Sequence, residues 1–184
     1  MALDLNALLN AVDNAADKPL PVEQWHPDSC GEMDLLIKAD GSWWHEGRPF
    51  QRFALVKLFA RILRREPDGR YCLVTPAEKV MIQVEDVPFL IQACHQQEQG
   101  IQLITNCEEV LWLGSEHPLQ MRPYPGSKDL CPYVRVRAEL WARVERNVYY
   151  QLIEMATPLQ TEQGTDWQLT SQNQVFSLGI VADD

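Results

Sequence analysis

The run Trp43-Trp44-His45-Glu46-Gly47 sets an imidazole beside a carboxylate at a turn. Those are the residue types that a general base or a hydrogen-bonding ligand site uses near neutral pH. Glu78-Lys79 at a second turn could pair with each other or reach a ligand, and the adjacent carboxylates Glu85-Asp86 after a strand could order an opposing arginine. An exposed tip pair such as Glu78-Lys79 is more ordinarily solvated and worth little. Arg52, Arg122, Arg135 and Arg137 stand at a helix start or on short strands, where a guanidinium fork suits a phosphate. Tyr149 borders an apolar stripe and belongs to the core, whereas its neighbour Tyr150 faces solvent or an interface. None of this amounts to a known catalytic constellation: GxGxxG, Walker, HExxH, GxSxG and kinase patterns are all missing. The five cysteines are odd in number and include no CxxC, and the four histidines lack zinc-site spacing. Free thiols in a reducing compartment, with no structural metal and no cofactor, are the expectation.

The cations are unevenly placed along the 184 residues, whose net charge is −10. Residues 48–79 hold eight basic and three acidic residues, and residues 122–146 hold six and three. An acidic chain with its positive charge gathered in two segments can focus potential on a small anion. It is not built to hold extended nucleic acid. Lys57, Arg61, Arg64 and Arg65, however, recur at helical spacing and read as a solvated helix face. No apolar run reaches transmembrane length, and the N-terminus lacks a basic signal-like region, which leads to the expectation of a cytoplasmic protein without a membrane span.

The elements that must position these residues follow from periodicity. Residues 3–16 form an amphipathic helix, and residues 19–32 an irregular connector. Residues 34–39 and 42–45 are strands around Asp40-Gly41. A helix is expected over 52–65, stopped by Pro67-Asp68-Gly69, and strands over 70–75 and 79–84. After a polar break at 96–100 come short strands at 101–105, 110–113 and 133–137. A long helix over 138–156 and a terminal hairpin of 166–171 with 174–180 complete the chain.

The halves resemble each other. At an offset of 69, Leu35 falls on Ile104, Asp40 on Glu109, Trp43 on Trp112 and Pro49 on Pro118. After the helix, at 96, Tyr71 falls on Trp167, Leu73 on Leu169 and Thr75 on Ser171. Shared element order makes this a duplication. The fold class expected is α+β, with two halves each carrying an antiparallel sheet and a helix. The domains are placed at residues 1–95, with the leading helix, and 96–184.

Several segments, taken together, resemble the DUF1285 family of uncharacterised bacterial proteins. They are ADGSWWHEGRPFQR over 39–52, ALVKLF over 54–59, VTPAEK over 74–79, VEDVPF over 84–89 and NVYYQL over 147–152. The likeness spans the chain from about residue 23 onward, departing from the family's pattern at Trp44 and Phe50 through apolar exchanges. It implies two domains with a duplicated core, the C-terminal one superficially pleckstrin-homology-like. It also implies a nucleotide-like ligand in the cleft between them and a role in signalling. The matching residues that would face such a ligand are His45, Arg52, Thr75, Glu78, Lys79, Glu85, Asp86, Asn147 and Tyr150, and the charge pattern adds Arg135.

A non-enzymatic ligand-binding or regulatory module is therefore the leading expectation. An interaction scaffold for a protein partner, anchored by some of the six tryptophans, is the alternative. A hydrolase or transferase pairing His45 with Glu46 or Glu78 is third.

Overall fold

The computed structural model describes residues 19–182, so the amphipathic helix expected over 3–16 lies outside the described residues. The chain divides into two compact units, Met1–Glu85 and Asp86–Asp184. The boundary expected after residue 95 falls inside a strand of the second unit, because the polar run at 96–100 is a hairpin turn within one sheet.

In the first unit β1 (Ser29–Ile37), β2 (Trp43–His45) and β3 (Arg48–Pro49) make one antiparallel meander. After α1 (Phe53–Arg61), β4 (Leu63–Arg65), β5 (Tyr71–Val74) and β6 (Glu78–Val84) make another. The two join where β6 lies parallel to β1, giving the order β3-β2-β1-β6-β5-β4. α1 is shorter than its pattern suggested. Residues 63–65 leave the helix to pair with β5, and Pro67-Asp68-Gly69 is the hairpin turn between those strands. Gly69 takes φ +88° there, and Glu66 N–H closes the turn on Arg70 O at 2.8 Å. Successive strand residues face opposite sides. Cys72 and Val74 therefore pack with Val22 of a short 3-10 turn (Val22–Gln24), while α1 buries Leu58, Phe59 and Ala60.

In the second unit β7 (Phe89–Gln97), β8 (Gly100–Thr105) and β9 (Val110–Trp112) form a meander. β10 (Leu119–Pro123), β11 (Leu130–Arg137) and β12 (Leu140–Val144) form the next, and β12 runs parallel to β7. The order β10-β11-β12-β7-β8-β9 is that of the first sheet. Residues 140–144 were expected to be helical, and they are a central strand. Ala138, at φ +43°, and Glu139 turn the chain back, so that Arg137 faces Leu140. α2 (Arg146–Met155) then leads into a three-stranded antiparallel sheet of β13 (Thr157–Thr161), β14 (Gly164–Ser171) and β15 (Gln174–Val181).

Duplication is thus present in the sheets, in a different register from the residue matches. β1 corresponds to β7 by position, whereas the offset of 69 laid it over β8. The helices are not equivalent either, since α1 follows the third strand of its sheet and α2 the sixth. A better residue signature lies at the parallel junction. Ile37 pairs with Val84, and the next residue, Glu85, donates its N–H to Ile37 O at 3.0 Å. Ile91 pairs with Val144, and Glu145 donates to Ile91 O at 3.1 Å. Among the described residues no helix is long and apolar enough to cross a membrane.

The third sheet is fastened to the second by its β14–β15 turn. Buried Ser171 Oγ donates to Leu113 O at 2.6 Å and accepts Ile101 N–H at 2.8 Å. This approach requires Gly100, at φ +137°, where a Cβ would collide with Ser171 Oγ and crowd the Gln172 backbone nitrogen. Gly100→Ala is expected to lower unfolding free energy by about 1–3 kcal/mol from backbone strain, with the collision added. Gly126→Ala, also at positive φ but with nothing within 4 Å of the new Cβ, should lose less. Urea titrations followed by tryptophan fluorescence would rank the two.

Candidate functional site

Glu46 (φ 49°) and Gly47 (φ 74°) provide the two left-handed residues of the tight loop between β2 and β3. Phe50 N–H then bonds Trp43 O at 2.9 Å and returns the chain toward α1. The hairpin and the three residues after Arg48 border an open, shallow cleft of about 450 Å³ lined by His45, Glu46, Arg48, Pro49, Phe50 and Gln51. Its apolar wall is built from below. Trp43 and Phe59 rings lie 6.4 Å apart and nearly parallel, Phe59 meets Phe50 edge-on at 5.7 Å, and Phe50 meets His45 at 6.1 Å. Trp43 is buried with its Nε1–H lacking an acceptor among the described residues. Such an orphan costs about 1–3 kcal/mol, which the ring packing must offset. Arg52 follows as the exposed N-cap of α1, a helix start with no side-chain cap. Neither Arg48 nor Arg52 has an ion-pair partner among the described residues.

The other expected residues of this unit are tied up structurally. Thr75 Oγ1 accepts the N–H groups of Ala77 and Glu78 at 3.3 and 3.0 Å, closing the β5–β6 turn. Glu78 contributes its backbone to that turn. Lys79 Nζ sits 3.0 Å from Glu66 Oε2 in a half-buried cluster with Arg64 and Cys72. Arg64 was expected on a solvated helix face. It is 6% exposed instead, bonded to Glu66 at 2.7 Å and donating through Nη1 to the carbonyls of Val22 and Trp25 at 2.8 Å each. Burial pushes the Glu66 carboxyl up, but hydrogen bonds from Lys79, Arg64 and Cys72 outweigh it and hold the group below its ordinary value. Burial and the Glu66 carboxylate push the Cys72 thiol up to about 12, so it stays a protonated, unreactive donor. Glu85 Oε2 accepts Ala39 N–H at 2.8 Å.

In the second unit Asp86 accepts Tyr133 OH at 3.0 Å and Arg143 Nε at 3.1 Å. Arg143 also lies 5.1 Å over the Tyr124 ring, and Arg122 lies 3.6 Å over Trp141. Burial raises the Asp86 carboxyl above its ordinary value despite the pull of Tyr133 and Arg143. Arg135 reaches Glu116 O at 3.3 Å, and Arg137 pairs with Glu109 at 3.0 Å. Asn147 and Tyr150 are exposed on α2, with Arg146 6.0 Å over the Tyr150 ring.

Of the ten expected residues, His45 alone lines the cleft, with Arg52 near it along the chain. Arg48, Phe50, Arg64, Glu66, Tyr133 and Arg143 were not singled out as site residues. The Arg48-Pro49-Phe50 run directly after a Glu-Gly turn was the available signal for the cleft. Among the described residues no group of three His, Cys, Asp or Glu side chains could hold a metal ion.

Comparison with known proteins places the chain among proteins of unknown function. The model of the DUF1285 N-terminal domain, a domain of unknown function, matches residues 20–87, and that of the DUF1285 C-terminal domain matches residues 88–178. The crystal structure of a DUF1285 family protein from Silicibacter pomeroyi DSS-3 is similar with a TM-score of 0.84 and 34% identity. That match covers 98% of this chain and 97% of that one. A DUF1285 family protein from Shewanella baltica OS155 is similar with a TM-score of 0.53 and 29% identity, over 66% of this chain and 91% of that one. No curated protein matches.

Two half-buried carboxylates, Glu66 and Asp86, predict opposite pH effects. Glu66, lowered in the folded state, contributes stability above its ordinary value of 4.5 that is lost as pH falls through and below it. Asp86, raised from 3.8, is favoured when protonated, so its contribution weakens as pH rises from 3.8 through its folded value. Glu66→Gln should cost about 3 kcal/mol at pH 7 and flatten the acid loss of stability. Asp86→Asn should make that loss steeper. Denaturant titrations between about pH 3 and 7 read both slopes.

Proposed function

We propose that this chain, which belongs to the DUF1285 family, is a non-enzymatic ligand-binding module that recognises an anionic, nucleotide-like small molecule at the β2–β3 cleft of its first unit. The observation that supports this reading is the presence of His45, Arg48 and Phe50 around one concavity of about 450 Å³. That volume falls in the range of small-molecule sites. Phe50 and His45 offer flat walls for a stacked base. Arg48 offers a phosphate fork, with Arg52 and the uncapped start of α1 close along the chain. Glu46 and Gln51 supply partners for hydroxyl or amino groups. His45 and Glu46 are the acid–base groups of the lining, and in this reading they serve as hydrogen-bond partners of the bound molecule. A signalling role follows if occupancy reports the concentration of such an anion. The pleckstrin-homology likeness proposed for the second unit rests only on antiparallel strands followed by α2.

A second reading, an interaction scaffold, is favoured by one observation. Leu159, Val175, Ile180 and Val181 of the three-stranded sheet are each about half exposed.

A thermal-shift screen against nucleotides and phosphorylated metabolites separates the two readings. A ligand at 100 times its Kd should stabilise the fold by about 2.7 kcal/mol, a rise of several degrees in Tm. His45→Ala and Arg48→Glu should abolish that rise, and Asn147→Ala should retain it. A screen with no shift from any compound transfers the assignment to the scaffold.

A further inference from the structure

We propose that the N-terminal half of β1 is a docking edge that takes up an extended, basic polypeptide segment as an added strand. β6 pairs with β1 from Ser29 to Ile37, but β2 reaches only Leu35–Ile37. The cause is the length of β2: three residues bring it to the Glu46-Gly47 turn, where Glu46 N–H bonds Asp34 O at 3.1 Å. The β1–β6 ladder shifts register between Glu32 and Leu36, so β1 bends where its second neighbour begins. Among the described residues no strand borders Ser29–Met33 on the β2 side. The outward N–H and C=O groups of that stretch are a template for strand addition.

Charge selects the partner. Asp28, Glu32, Asp34 and Glu46 are all exposed along this edge. Of the described cations near it, Arg70 pairs with Asp68 at 2.8 Å and Lys79 with Glu66 at 3.0 Å, while Arg48, across the turn from Glu46, flanks only the far end of the edge. Cys30 and Glu32 lie on one face of the strand, while Gly31 and Met33 lie on the other. Gly31 leaves that second face flat, with even an added Cβ in ordinary contact only, 3.8 Å from Val80. The fitting segment alternates, with basic side chains beside Glu32 and apolar ones over Gly31 and Met33. Carboxylates on an edge can also serve to blunt it against every strand. Docking differs in admitting basic segments and refusing acidic ones.

The test uses the whole chain and a labelled hexapeptide of alternating Lys and Val, blocked at both ends, with binding read by fluorescence anisotropy. Saturable binding is expected, weakened about tenfold or more between about 0.05 and 0.5 M salt. The double variant Glu32→Lys, Asp34→Lys, its fold checked by circular dichroism, should lose the Lys–Val peptide and accept the matching Glu–Val peptide. N-methylation of alternate peptide nitrogens should abolish binding in one phase and spare it in the other, because only alternate N–H groups face β1. Four outcomes overturn the proposal: no saturable binding, equal uptake of both peptides by the native chain, binding that survives methylation in both phases, or self-association that the double variant dissolves. The last would assign the edge to a second copy. None of the four bears on the cleft, whose ligand is read independently by thermal shift.

Discussion

Each six-stranded sheet consists of two local meanders that become one structure only where their first and last strands lie side by side, Ile37 against Val84 and Ile91 against Val144. The hairpins within a meander close short loops, and isolated hairpins are marginal in water. The parallel ladder joins residues far apart in sequence, so its loop-closure entropy is met only once both meanders exist. The same device seals the joint in both units. The residue after the sixth strand is a glutamate, and its N–H caps the ladder on the isoleucine carbonyl. In the first unit the Glu85 carboxylate also takes Ala39 N–H, fixing the start of the turn into β2 and thereby the hairpin that carries the cleft. The position of His45 and Arg48 is thus an indirect product of the central ladder.

That ladder is what local patterns could not reveal. The hairpins at Asp40-Gly41 and Thr75–Glu78 were legible because their turn residues carry their own geometry, and the α1 stripe was legible from its period. Residues 140–144 were misread because Leu140-Trp141-Ala142-Arg143-Val144 merges with the true helical stripe that begins at Arg146. The Ala138-Glu139 loop separating it from β11 contains neither glycine nor asparagine, so nothing in its composition announced a turn with positive φ. Arg64 was misread for a related reason. Its helical spacing from Lys57 and Arg61 placed it on a solvated face, but the helix ends at Arg61 and strand alternation then governs its direction.

The charged residues singled out in the sequence have mostly structural partners. The Glu85-Asp86 pair was expected to order an arginine, and Asp86 holds Arg143; the like pair of Glu66 with Arg64 was not anticipated. These pairs act on structure, since Arg64 fixes the chain at Val22 and Trp25, while Asp86 gathers Tyr133 and Arg143. Glu85 and Asp86, adjacent in sequence, serve different units, one bonded to Ala39 and the other to Tyr133. A motif conserving both charges would look like a ligand pair in one dimension although each has its own partner.

The two basic segments can now be understood from where their cations go. In a chain of net charge −10, a basic run invites a reading as an anion-binding surface. Arg64, Lys79, Arg137 and Arg143 instead each meet a carboxylate within the same unit. A buried carboxylate left alone would be costly, so an acidic chain that folds carboxylates into its interior needs cations beside them in space. The segments are rich in cations partly because β4, β6 and β12 carry such partners inward. Other cations lie outside that framework. Arg48 and Arg52 stand on either side of Gln51 in the segment that leaves the β2–β3 hairpin, with no ion-pair partner among the described residues. The hairpin and the start of α1 thus keep two cations clear of that framework, as the second unit keeps Lys128, Arg135 and Arg146, and the net count conceals both sets.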